Sequence, residues 1–128
     1  MTTTRKKILI VDDDVAFTKM IKIILERTGR YEVYCENKGS KALMTIRQYS
    51  PQLVLLDVNM PDTSGGEILG EIQRQPAMKN LPVIFLTGII SEEEIRAGLT
   101  ITGRPAIAKP INVDKLISCI EENLPAGT

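Results

Sequence analysis

The chain has 128 residues, 43% of them hydrophobic, with 16 basic and 16 acidic side chains and no histidine. That length and apolar content suit one domain with one core, expected over residues 1–128 with the packed part at about 6–123. Balanced charge leaves no electrostatic footprint for nucleic acid, and the side-chain inventory excludes a Ser-His-Asp triad, a histidine base and a zinc site.

Ile8-Leu9-Ile10-Val11 is a fully apolar run that ends in Asp12-Asp13-Asp14, as expected of a strand buried on both faces. Phe17, Met20, Ile21, Ile24 and Leu25 then follow helical spacing, with Asp14 as N-cap and Gly29 just past the C-terminus. Tyr31 to Glu36 alternates apolar and polar residues, which predicts a strand at a sheet edge. Ala42, Leu43, Ile46 and Tyr49 predict a second helix that ends before Pro51. Leu53-Val54-Leu55-Leu56 is a second continuous apolar run, closed by Asp57 and a loop containing Pro61. Gly65-Gly66 opens a third helix with Ile68, Leu69 and Ile72 inward, stopping near Pro76. Pro82 to Leu86 is a third apolar strand ending at Thr87-Gly88. Ser91-Glu92-Glu93-Glu94 has capping-box spacing and predicts a weak fourth helix anchored by Ile95 and Leu99. Ala106-Ile107-Ala108 is a short strand before Lys109-Pro110. Asn112 caps a last helix with Val113, Leu116, Ile117 and Ile120 inward, and the tail from Leu124 is expected to fray.

Five repeats of strand then helix, with short connections, predict an α/β fold. It is a doubly wound, five-stranded parallel sheet with right-handed crossovers and helices on both faces. Central-looking and edge-looking strands suit the order 2-1-3-4-5, a flavodoxin-like arrangement. In a parallel sheet every strand leaves by the same edge. The exits carry Asp12, Asp13 and Asp14, then Asp57, then Thr87, then Lys109. The switch point of this order lies between the first and third strands, which sets Asp12 and Asp13 beside Asp57.

Carboxylates gathered in one crevice repel. At ~4 Å and an effective dielectric of ~20, one like-charge pair costs about 4 kcal/mol. Either one of them takes up a proton or a cation moves in. An oxygen-only donor set suits Mg²⁺, which keeps several waters and favours phosphoryl oxygens as further partners. A carboxylate beside such an ion, an amine and a hydroxyl is equipped to receive a phosphoryl group.

The chain resembles the receiver domain of two-component response regulators over essentially its whole length. Four motifs carry the likeness: Ile-Val-Asp-Asp after the first strand, Asp-Val-Asn-Met-Pro-Asp-Thr-Ser-Gly after the third, Phe-Leu-Thr-Gly after the fourth, and Lys-Pro after the fifth. Each alone is weak, but all four in order at these spacings are highly specific. The strand order is that of receivers too, so it is not an independent argument for the likeness. The resemblance implies that Asp57 accepts a phosphoryl group from the phosphohistidine of a sensor kinase or phosphotransfer protein. It implies that Asp12, Asp13, Asp57 and the backbone carbonyl of Asn59 hold Mg²⁺. Lys109 would pair with Asp57 or its phosphoryl oxygens, and Thr87 would move to bond them. Gly88 and the Asn59 side chain would tune the access of water, and the Lys109-Pro110 bond would be cis. The outcome would be a phosphorylation-dependent change in partner binding, through the fourth strand and the helix after it. The downstream effector is not named by the residues, and no direct contact with nucleic acid is expected.

One position departs from the family pattern. Receivers commonly carry an aromatic residue three positions before the lysine, where this chain has Ala106, preceded by Thr102-Gly103-Arg104-Pro105. An aromatic rotamer switch is therefore not available there. Each motif also has a plainer reading: the acidic triplet as a solvated helix start, with Asp14 as cap, and Lys109 as a surface lysine. Cys35 and Cys119 read as buried packing thiols, and Met20, Met44 and Met60 as core filler. Rival functions are a Mg²⁺-dependent phosphohydrolase with an aspartate nucleophile, or a receiver-like interaction module that is never phosphorylated. Asn59, where such hydrolases usually carry a second acid, argues against the first. A flavodoxin-like cofactor carrier is disfavoured by the acidic first loop. Cysteine usage fits the cytoplasm, the apolar run at the start is too short for a signal peptide, and no stretch approaches the ~20 apolar residues of a membrane span.

Overall fold

The computed structural model describes residues 4–88 and 103–125. Its elements run β1 (Lys6–Val11), α1 (Val15–Arg27), β2 (Tyr31–Glu36), a 3₁₀ turn (Gly39–Lys41), α2 (Ala42–Tyr49), β3 (Leu53–Asp57), α3 (Gly65–Gln73), β4 (Val83–Thr87), β5 (Ala106–Ala108) and α4 (Val113–Asn123). The helix expected after Ser91 lies outside the described residues.

All strand pairings are parallel, in the order β2-β1-β3-β4-β5. The expected topology is thus observed, with the alternating β2 at one edge. Strand side chains point to opposite faces in turn, so the continuous apolar runs supply two cores. Leu9, Val11, Val54 and Leu56 pack with Ile46 of α2 and Ile68 and Ile72 of α3. Ile8, Ile10, Leu53 and Leu55 pack on the other face with Ile21 and Leu25 of α1 and Leu116 and Ile120 of α4.

Side-chain caps start three of the helices. Asp14 accepts from the Phe17 N–H at 3.0 Å, Ser64 from Glu67 at 3.1 Å and Asn112 from Lys115 at 3.1 Å. Helix α1 ends at Gly29, whose φ of +77° is the left-handed turn that glycine adopts without a Cβ penalty. The Lys109-Pro110 bond is cis, as expected from the resemblance.

Three expectations need correction. Met20 and Met44 are 48% and 58% exposed and fill no core, because Thr18 and Thr45 face inward in their helices instead. Met60 does pack against the core. Cys35 and Cys119 are half-buried rather than buried, since β2 is an edge strand and α4 has one wet face. Leu124 is not frayed: its N–H donates to the Ile120 carbonyl at 2.9 Å and its side chain packs on the α1–α4 face of the sheet. Among the described residues, no helix is long and apolar enough to cross a membrane.

Candidate functional site

Parallel pairing brings the exits of β1, β3, β4 and β5 to one edge of the sheet. Val11 pairs with Leu56 and Asp57 with Leu86, so Asp12, the residue after Val11, stands beside Asp57, and Asp57 stands next to the end of β4. Thr87 pairs with Ala108, and the Lys109 N–H donates to the Thr87 carbonyl at 2.8 Å. The last ladder bond between β4 and β5 thereby places the lysine at the same crevice.

Carboxylate oxygens of Asp12, Asp13 and Asp57 lie within 4.8 Å of one another. Asp12 is fully buried, Asp57 is 6% exposed and Asp13 faces solvent. The donors are oxygen only and one side is open, which fits a hard divalent cation that keeps part of its water. Asp12 is anchored on three sides. Its Oδ1 accepts the Asp14 N–H at 3.0 Å, its Oδ2 accepts Lys109 Nζ at 2.7 Å, and its backbone carbonyl accepts Asn37 Nδ2 at 2.8 Å. Lys109 also reaches Asp57 Oδ1 at 3.6 Å, so one ammonium is shared by the two buried carboxylates.

Burial pushes the Asp57 carboxyl up to about 6, and the negative charge of Asp12 adds to the rise. The Lys109 ammonium and a hydrogen bond from the Asn59 backbone N–H oppose it. For Lys109, burial disfavours the charged form, yet its bonds to Asp12 and Asp57 outweigh that and raise its pKa. In the absence of a cation, Asp57 is therefore a carboxylate whose charge is disfavoured by burial and by Asp12, held beside an ammonium that stays charged.

The loop after β3 is pinned close to the site. The Asn59 N–H reaches Asp57, and Asn59 forms an isolated antiparallel bridge with Ser64. The Gly65 N–H donates to the Val58 carbonyl at 2.8 Å. A Cβ on Gly65 would lie 2.6 Å from the Asp57 carbonyl oxygen and 3.0 Å from the Phe85 ring. Glycine is thus required where α3 turns back against the end of β3. Thr87 is buried at the end of β4, and Gly88 beside it is exposed, with open space where a Cβ would stand.

Every described residue expected at the site lies at this edge, and Asp14 serves as the cap of α1. Sequence reasoning missed two neighbours. Asn37 Nδ2 bridges the Asp12 carbonyl and Thr18 Oγ1, the latter at 3.0 Å. Its signal was its place one residue beyond β2, the one strand exit without an assigned role. Phe17 was counted only as an apolar position of α1, yet its ring centroid lies 4.7 Å from Lys109 Nζ.

The sequence model of the family described as response regulator receiver domain matches residues 8–121. Among solved structures, the chemotaxis protein CheY4 of Vibrio cholerae is 28% identical, with a TM-score of 0.81 over 94% of this chain and all of that one. A CheY-like response regulator receiver domain protein from Methanospirillum hungatei is 33% identical, with a TM-score of 0.75 and 93% of each chain covered. The receiver domain of the Francisella response regulator 1452 is 29% identical, with a TM-score of 0.75 over 92% of this chain and 95% of that one. A family match over most of the length, on a fold with the same sheet order and an acidic pocket at its switch point, assigns this chain to the response regulator receiver family.

Proposed function

We propose that Asp57 is the phosphoacceptor of a two-component phosphorelay. Its carboxylate oxygen attacks the phosphorus of a phosphohistidine on a sensor histidine kinase or a phosphotransfer protein. The new P–O bond forms as the P–N bond breaks, and the imidazole leaves neutral after taking one proton. Asp12, Asp13, Asp57 and the carbonyl of Asn59 are the groups that would hold Mg²⁺. When bound, that ion supplies positive charge to the transferring oxygens. Lys109 would supply a second positive charge to the same oxygens. Thr87 gives the acyl phosphate a hydroxyl donor, while Gly88 and the Asn59 side chain govern how water approaches it. Receivers are signalling switches, and the phosphorylated form binds its protein effector differently from the free form because its charges favour another arrangement of the site. A cytoplasmic setting follows from that partner chemistry.

The convergence of Asp12, Asp13 and Asp57 within 4.8 Å, with Lys109 between the two buried ones, supports this reading most strongly. The test is incubation with Mg²⁺ and a small acyl-phosphate donor, followed by intact mass. One added phosphoryl group is expected on the native chain, and none on Asp57→Asn or with a chelator present. Labelling that persists in Asp57→Asn would defeat the assignment.

A further inference from the structure

We propose that Phe17 is a positioning residue for Lys109: its ring is the platform that keeps the ammonium over the acidic pair and ready for the phosphoryl oxygens. The inference rests on the phosphoacceptor reading above and goes beyond it.

Two carboxylates and one ring hold the Lys109 ammonium. Its backbone is fixed by the bond to the Thr87 carbonyl, but its side chain is long, flexible and 28% exposed. The ammonium meets Asp12 at 2.7 Å, Asp57 at 3.6 Å and the Phe17 ring centroid at 4.7 Å. That last distance is inside the range where a ring face attracts a cation, and the attraction grows as water is excluded. Phe17 itself is anchored. Its N–H is capped by Asp14, and its ring packs against the α1–α4 face of the sheet. The ring is thus packed on the core and also faces the lysine.

The ring has a consequence for the reaction. When a phosphoryl group arrives on Asp57, Lys109 must turn part of its bonding from Asp12 to the new oxygens. A carboxylate partner resists that turn by charge and directional bonds. A ring face permits it, because the attraction has no lone-pair direction and changes slowly as the ammonium slides across. Without the ring, the side chain is held by its carboxylate partners alone, and once it leaves Asp12 its positioning must be recovered in each transfer.

Aliphatic and aromatic replacements separate this role from packing. Phe17→Leu and Phe17→Met keep an apolar side chain on the core. Both should slow Mg²⁺-dependent phosphorylation by a small acyl-phosphate donor on the order of fivefold, with Mg²⁺ affinity retained, and Phe17→Tyr should restore the rate. In a Lys109→Ala background, Phe17→Leu should add no further slowing. In the free protein, the Lys109 side-chain proton resonances should lie upfield of those of the other lysines. They should move to the ordinary position in Phe17→Leu, while dispersed amide resonances in the same spectra show that the variant is folded. Equal rates for Phe17, Leu and Met on a native chain that labels normally would overturn the platform and leave the phosphoacceptor reading intact. Equal slowing by Phe17→Leu with and without Lys109 would also overturn it, since that is a packing effect. A native chain that fails to label at Asp57 would remove the reading itself and this role with it.

Discussion

The Lys109 ammonium stands nearer to Asp12, at 2.7 Å, than to Asp57, at 3.6 Å. Asp12 is the more deeply buried of the two carboxylates and the one that cannot turn to solvent. In this structure, then, the lysine chiefly compensates a buried charge. Its removal leaves Asp12 buried with one neutral donor, the Asp14 N–H, on its carboxylate. We expect Lys109→Ala to lose about 2–3 kcal/mol of stability in metal-free buffer, measured by urea unfolding at neutral pH. Mg²⁺ should raise the stability of this variant more than that of the native chain, because the added ion replaces the missing charge.

The Asp57 carboxyl has its own effect on stability. Asp57 is raised from an ordinary carboxyl value to about 6, chiefly by burial. A carboxyl whose folded pKa exceeds its unfolded one holds more protons in the native state between the two values, so stability falls as pH rises through that window. Below about pH 4 both states are protonated and the penalty vanishes. Asp57→Asn removes the ionisation. It should stabilise the metal-free protein by on the order of 2 kcal/mol at pH 7.5, and this gain should shrink to near zero at pH 4. Thermal melts with a chelator across that range check the sign.

Two adjacent glycines at the start of α3 make an internal control. A Cβ at Gly65 would sit 2.6 Å from the Asp57 carbonyl oxygen, whereas at Gly66 the nearest atom is Ser64 Oγ at 3.9 Å. Gly65→Ala should destabilise by about 1–3 kcal/mol through forced displacement of the end of β3. Gly66→Ala should be neutral or stabilising by up to about 1 kcal/mol, since alanine favours the helix. Denaturant midpoints of the two variants should therefore move in opposite directions.

Asn37 ties the exit of the edge strand to Asp12 in the acidic cluster. Asn37→Ala strips one donor from the Asp12 carbonyl and from Thr18 Oγ1, both buried. A loss of about 1–2 kcal/mol is expected. Calorimetric Mg²⁺ titration should show weakened affinity as well, because Asp12 loses one of its three anchors. Unchanged affinity with lowered stability would assign Asn37 to the fold alone.

The primary sequence by itself determined the architecture. Each buried strand is an unbroken apolar run such as Ile8–Val11 or Leu53–Leu56, and such runs fit only a sheet covered on both faces. The edge strand declared itself by the alternation from Tyr31 to Glu36. Asp12, Asp13, Asp57, Thr87 and Lys109 were legible for a related reason: they are polar residues that end apolar runs, and parallel topology sends all such ends to one side. Helix faces were less legible. Met20 and Met44 satisfy hydrophobic spacing yet face water, because a threonine two positions earlier or one later can turn inward by bonding its own helix carbonyl. Only the tertiary structure decided which carboxylate the lysine serves, that Asn37 holds Asp12, and that the Phe17 ring lies under the Lys109 ammonium. Those relations join residues 25 to 97 positions apart. No local spacing encodes them, since they depend on side-chain reach across strands that meet only when the sheet has formed.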